Sequence, residues 1–267
     1  MPQLSLMKVV AHRGASDISP EHTLAAYQKA IDAGADGLEC DVRLTADGHL
    51  VCVHDRRIER TSNGSGVLST MSLEELQELD WGSWKNPWAE LDDEAELPDA
   101  NQLTVLTLER LVAMVRDCGR RLELAIETKH PTRYAGLVER RLIETLDRFG
   151  WAKPRLGEES PARVMSFSWL SLRRMRALAP ELRTVLLMDR VPLRFRDGSL
   201  PTGVSIAGPS LEIVTAHPEY VARVHGHGHQ VHVWTVNHLE DIEHCHRTGV
   251  DTIITDRPET ALAALRG

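Results

Sequence analysis

Glu39 and Asp41 stand two residues apart in the run GLECDV, a spacing that on a strand turns both carboxylates to one face. If that face is buried, each resists ionising, because water is lost and because its neighbour carries the same charge. A divalent cation relieves both effects. Glu127, near the end of the run LELAIET, adds a third oxygen donor. Three carboxylates without sulfur suit Mg²⁺, Ca²⁺ or Mn²⁺ better than zinc. A Glu-x-Asp pair alone is common and usually belongs to a solvated rim bonded to Arg and Lys, so its weight depends on its company. That company includes His12 and His54, which could move protons near neutral pH, one as neutral base and one as protonated acid. Arg13 and Lys129 supply positive charge suited to a phosphate, Arg through its planar guanidinium and Lys as a point charge. One metal ion, two proton carriers and two cations describe phosphoryl chemistry more economically than acyl or hydride transfer.

Such a set needs a scaffold that converges from many points of the chain. Short apolar runs alternate with amphipathic helical segments, the pattern of a parallel sheet with helical crossovers. Candidate strands cover 9–12, 37–42, 123–127, 164–167, 184–187, 204–207, 231–235 and 252–255, which is the number a (β/α)8 barrel requires. Helices are expected over 23–33, 108–117, 137–148, 170–178 and 239–247, with Gly34, Gly119, Gly150 and Gly249 as stop signals. In a barrel the carboxyl ends of the strands meet at one face. His12, Arg13, Glu39, Asp41, Glu127, Lys129 and Trp234 all fall at or near such ends.

Two stretches break the rhythm. Between 44 and 54, Asp47-Gly48 signals a two-residue hairpin turn; with Ala46 and His49 flanking it, Asp41 falls opposite His54, about 5 Å away across the strand pair. The segment 56–106 carries SNGSG, Trp81, Trp84, Trp88 and the acidic run LDDEAELPD. It holds one plausible helix, opened by Ser72 with Glu75 three residues on, a capping-box pattern. A segment of this length in a compact domain reads as a cap over the barrel mouth. SNGSG lacks the strand-then-helix context of a phosphate cradle and reads as a turn. The histidine-rich HGHGH (225–229) and HCH (244–246) read as a helix end and a helix interior rather than as metal sites.

Composition narrows the partners. The 267 residues carry 39 acidic and 31 basic side chains, a formal charge of -8, which disfavours nucleic acid and anionic membrane. No apolar run approaches the roughly 20 residues that cross a bilayer, and the start MPQLSLMKVVAHRG lacks the layout of a signal peptide. The four scattered cysteines form no Cys-x-x-Cys pair and read as reduced, so the expectation is a cytoplasmic protein without stable membrane association. The sequence sets no oligomeric state.

The segments AHRGAS, PEHTLAAY, GADGLECDVRLTADGHLVCVHD, RTSNGSG, IETKHP, SFS, VWTVN and TDRP resemble, in type and in order, those of the glycerophosphodiester phosphodiesterases. The resemblance runs through nearly the whole chain. It implies a single TIM (β/α)8 barrel domain over 1–267, with a capping insertion at 56–106. It also implies Glu39, Asp41 and Glu127 as ligands of one divalent cation, with His12 and His54 as the acid/base pair. Arg13 and Lys129 would hold the phosphate, and Trp234 would wall the alcohol side. By the family's mechanism the glycerol 2-hydroxyl attacks phosphorus, and water opens the cyclic phosphate to give glycerol 3-phosphate and an alcohol. One departure is visible: His22 stands where the family commonly has Asn after the Pro-Glu pair, which bears on the bonding around Glu21. A relative acting on intact phospholipids would need an apolar rim that the acidic composition does not offer. A silent phosphodiester binder would lack a ligand or a histidine, and none is missing.

Overall fold

The computed structural model describes residues 7–85, 103–130 and 136–266. Eight parallel strands close on themselves in the order β1 (Lys8–His12), β9 (Thr252–Thr255), β8 (Gln230–Trp234), β7 (Ile206–Pro209), β6 (Arg183–Met188), β5 (Ala162–Ser166), β4 (Glu123–Thr128) and β2 (Gly37–Leu44), with β1 pairing β2 to seal the barrel. A ninth strand, β3 (Leu50–Cys52), lies antiparallel on β2. The expected TIM barrel is the fold, and each expected strand coincides with an observed one within about two residues.

Helices α1 (Leu24–Asp32), α3 (Leu108–Asp117), α4 (Leu137–Arg148), α5 (Trp169–Leu178), α8 (Leu239–Thr248) and α9 (Pro258–Arg266) surround the barrel, with the shorter α6 (Leu211–Ala216) and α7 (Glu219–Gly226) between β7 and β8. Local chemistry sets their ends. Thr23 accepts a hydrogen bond from the Ala26 amide at the start of α1, and Thr107 does the same for Arg110 at the start of α3. All four expected stop glycines have positive φ. HGHGH closes α7 and HCH lies inside α8, as the sequence suggests.

Alternation along each strand divides the apolar residues into layers. Leu38, Cys40, Val42, Leu124, Ile126 and Val164 face the helices on one side, and Val231, Val233 and Ile253 face those on the other. The barrel interior is filled midway by Val10, Ala125, Met165, Val185, Leu187, Ile206 and Ile254. Each fully buried Val, Leu or Ile contributes roughly 1.5–3 kcal/mol, so these layers hold the fold. The polar mouth above them draws none of that stabilisation.

The hairpin differs from its expected register. Thr45 and His49 flank a three-residue loop, with the Thr45 amide bonded to the His49 carbonyl at 2.9 Å and the Gly48 amide to the Thr45 carbonyl at 3.2 Å. Gly48 adopts φ +88°, the left-handed residue that a type I turn plus bulge requires. The Thr45 hydroxyl closes the loop by accepting from the His49 amide at 2.9 Å. Pairing therefore runs Val42 with Cys52, and Val53 donates its amide to the Asp41 carbonyl at 3.0 Å, so Asp41 faces Val53 rather than His54.

Within the 56–106 segment, α2 (Leu73–Gln77) forms with the full capping box between Ser72 and Glu75. Ile58, Leu68, Leu76, Trp81 and Val105 pack with Val51 and Val53 into a small core beside the barrel. Lys85 donates to the Ser16 carbonyl at 2.7 Å, joining this segment to the loop after β1. Trp88 and the acidic run at 91–99 lie outside the described residues.

Candidate active site

Strand register assembles the carboxylates. His12 pairs with Glu39 across β1 and β2, and Asp41 pairs with Glu127 across β2 and β4, so residues distant in sequence become lateral neighbours. Glu39, Asp41 and Glu127 are all buried, and each offers an oxygen within 4.8 Å of the other two. Burial and the neighbouring Asp41 charge push the Glu39 carboxyl well above the usual carboxylate range, and for the same reasons Glu127 is pushed up to about 7. Burial would raise Asp41 too, but Arg13, His22 and Lys129 outweigh it and hold that carboxyl low. The three acids thus cannot all ionise comfortably on the two cations alone. An all-oxygen set short of positive charge fits a hard divalent cation.

The cations are in contact with this trio. Arg13 Nε lies 3.0 Å from Asp41 Oδ2, while its Nη1 donates to Glu21 at 3.0 Å. Lys129 Nζ bridges Asp41 Oδ1 at 2.9 Å and Glu127 Oε1 at 2.8 Å. The Arg13 backbone has φ +58°, a conformation non-glycine residues rarely adopt, and its amide donates to the Glu39 side chain at 3.2 Å.

Each expected proton carrier is backed by a carboxylate that sequence reading missed. His12 Nδ1 lies 2.6 Å from Asp256 Oδ1, and its Nε2 lies 3.9 Å from Glu39. Burial alone would raise the Asp256 carboxyl, yet hydrogen bonds from His12, Asn237 and Ser16 hold it well below its ordinary range. His54 Nδ1 lies 2.7 Å from Asp55 Oδ1. Burial, reinforced by the charges of Arg13 and Lys129, lowers His54 to about 4. His54 reaches this neighbourhood from the turn beyond β3, its carbonyl accepting from Arg43 Nε at 2.8 Å, and not through the hairpin ladder. Asp256 was findable in principle: it follows the last strand, and barrel closure sets that strand beside the first.

Two further contacts stand beyond the sequence reading. Arg60, from the 56–106 segment, donates to both oxygens of Glu21 at 2.7 Å and also pairs with Asp55, so one chain of ion pairs runs from Arg13 to the partner of His54. His22 leaves Glu21 fully bonded and turns to the acids: its Nε2 lies 3.1 Å from Asp41 Oδ2 and its Nδ1 2.8 Å from the Tyr27 hydroxyl. Trp234 stands at the mouth, its Nε1 donating to the Gly208 carbonyl at 2.7 Å and its ring meeting Phe167 edge-on at 5.3 Å. Ile18, Phe167, Leu170, Leu193 and Leu239, all in segments that follow barrel strands, are exposed.

Carboxylates, cations and carboxylate-backed histidines gathered at the mouth of a closed barrel are the chemistry that hydrolysis of a phosphoric diester calls for. Residues 12–260 match the glycerophosphoryl diester phosphodiesterase family. The chain is 47% identical over 252 residues to a Mycobacterium tuberculosis protein named "Probable glycerophosphodiester phosphodiesterase 1", covering 94% of this chain and 89% of that one. It is 33% identical over 266 residues to the glycerophosphodiester phosphodiesterase of Caldanaerobacter subterraneus, covering 97% of each. An Oleispira antarctica phosphodiesterase structure shares the fold, with a TM-score of 0.81 over 98% of both chains at 24% identity. The chain belongs to the glycerophosphoryl diester phosphodiesterase family. Among the described residues no helix is long and apolar enough to cross a membrane.

Proposed function

We propose that this protein hydrolyses glycerophosphodiesters to glycerol 3-phosphate and an alcohol, using one divalent cation (Mg²⁺, Ca²⁺ or Mn²⁺) held by Glu39, Asp41 and Glu127. The observation that carries the reading is the grouping of three buried carboxylates, with ligand atoms within 4.8 Å of one another, beside two histidines backed by Asp256 and Asp55. The relatives' names support the substrate class, as does the Oleispira antarctica enzyme, solved in complex with its product sn-glycerol-3-phosphate. When bound, the cation supplies Lewis-acid charge to the phosphate oxygens and the attacking hydroxyl.

Arg13 and Lys129 hold the phosphate and offset the charge it gains on attack. His54, neutral because its pKa is lowered to about 4, takes the proton of the glycerol 2-hydroxyl as that oxygen bonds to phosphorus. His12 gives a proton to the departing alcohol oxygen as its bond to phosphorus breaks. In the second half the roles reverse: His12 takes a proton from water, and His54 returns one to the 2-oxygen as the cyclic phosphate opens. Trp234 walls the alcohol side, and the 56–106 segment caps the mouth of what we take to be a single domain over 1–267. The working location is the cytoplasm, with small-molecule substrates, no nucleic acid and no stable membrane association.

Release of glycerol 3-phosphate from glycerophosphocholine, read in a coupled dehydrogenase assay, tests this directly. Activity should require divalent cation, vanish in EDTA, and vanish in folded His12→Ala and His54→Ala variants. Near wild-type turnover by both variants, or in EDTA, would remove the assignment. A lysophospholipid belongs in the same substrate panel, because exposed apolar side chains such as Phe167 and Leu193 follow the barrel strands.

A further inference from the structure

The opposite end of the barrel carries charge that the reaction does not use. The alternation that turns Val10, Ala125, Met165, Val185 and Ile254 inward also turns Lys8, Glu123, Arg163, Arg183, His232 and Thr252 inward, at the amino ends of their strands. Val231 and Val233 pack outward on the helices, so His232 between them faces the barrel floor. At its centre Arg163 is 5% exposed and His232 2%, while Lys8 lies exposed at its edge.

Its hydrogen bonding is incomplete in a specific way. Glu123 accepts from Arg163 Nη1 and from Lys8, and Arg183 donates to Gln230. Arg163 Nε and Nη2 have no protein partner, and neither has His232 Nδ1. Nε and Nη2 form the side edge of a guanidinium, two near-parallel donors that together grip one acceptor. A buried donor left unmet costs on the order of 1–3 kcal/mol, more when charged. Charge adds a second argument. Among the described inward side chains of the floor, the buried Arg163, the half-buried Arg183 and, at the exposed edge, Lys8 face the single carboxylate Glu123. Burial and those three cations drive His232 well below its ordinary pKa, so it stays neutral in a strongly positive field. Water would meet the donors but would leave the excess charge uncompensated.

We propose that the barrel floor binds one small monovalent anion of chloride size on the Nε–Nη2 edge of Arg163, with His232 Nδ1–H as a further donor. The apolar layer above it, from Val10 to Ile254, separates the site from the mouth. The anion is structural: it compensates charge that the strand ends bring together and takes no part in turnover.

Bromide is the probe. Crystals of the metal-loaded protein soaked in sodium bromide should show an anomalous peak within hydrogen-bonding reach of both Arg163 nitrogens; a floor that holds only water would overturn the proposal. At fixed ionic strength, replacing gluconate by chloride should raise Tm by roughly 3 °C per tenfold chloride above Kd. Arg163→Met should lose that dependence. Indifference of the wild-type Tm to chloride would also overturn it, and if the variant does not fold, the bromide map of the wild type decides.

Discussion

Replacing Asp256 by Asn removes one charge and keeps the shape, and the structure shows why the amide cannot substitute. Asp256 Oδ1 takes the His12 Nδ1 proton at 2.6 Å and the Ser16 hydroxyl at 2.9 Å, while Oδ2 takes the Asn237 amide at 2.6 Å. Asn237 cannot turn over to help, since its own oxygen accepts from the Asp256 amide at 2.9 Å and from Thr255 at 3.1 Å. If the new amide presents oxygen to His12, its NH₂ meets the NH₂ of Asn237. If it presents NH₂ to His12, the imidazole is forced into the other tautomer, with its proton on Nε2. A hydrogen bond to a charged group is worth about 1.5–3 kcal/mol, or roughly 10–150-fold in rate, and a mispositioned acid/base residue costs about 10²–10⁴-fold. The expected outcome is a fall in kcat of about 10²-fold, with little change in KM and unchanged divalent-cation affinity by calorimetry. A kcat within a few-fold of wild type would refute the positioning role. So would a loss of activity explained by lost cation binding.

Three other outcomes are expected. Because Glu127 is pushed up to about 7, cation binding must displace its proton at lower pH; affinity should weaken as pH falls from 7 to 5, with proton release at pH 6 seen as buffer-dependent binding heats. Glu21 is lowered to about 2, burial working against its bonds to Arg60 and Arg13, so its contribution to stability is full above about pH 4.5 and lost as pH falls towards 2. Glu21→Gln should flatten denaturant midpoints across that window. Gly48→Ala places a side chain at φ +88° and should cost about 1–2 kcal/mol, lowering Tm by a few degrees without altering cation affinity.

The barrel was legible because alternation of short apolar runs with amphipathic helices is a long-range pattern that no single residue can spoil. The acids were legible for the same reason: Glu39, Asp41 and Glu127 occupy inward positions of strands that could be counted. The hairpin register was not, because Asp47-Gly48 suits both a two-residue turn and a three-residue turn with bulge, and the Thr45 side chain settles the choice. His54 was placed at the mouth by an argument the structure replaces, since it arrives from a turn. Asp256 escaped notice because its partner lies 244 residues away, a proximity that only barrel closure creates. The floor charges were invisible as a group, each standing alone at the start of a different strand.

Closure also orders events during synthesis. The ribosome makes His12 244 residues before Asp256, and β1 waits for β9 as its second neighbour. Until that strand emerges, the sheet has two raw edges, at β1 and β8, each able to pair with another chain. A product broken off before Thr252 would therefore be both inert and adhesive, a target for chaperones and proteases rather than a half-active enzyme. Competence arrives in one step, with the final strand.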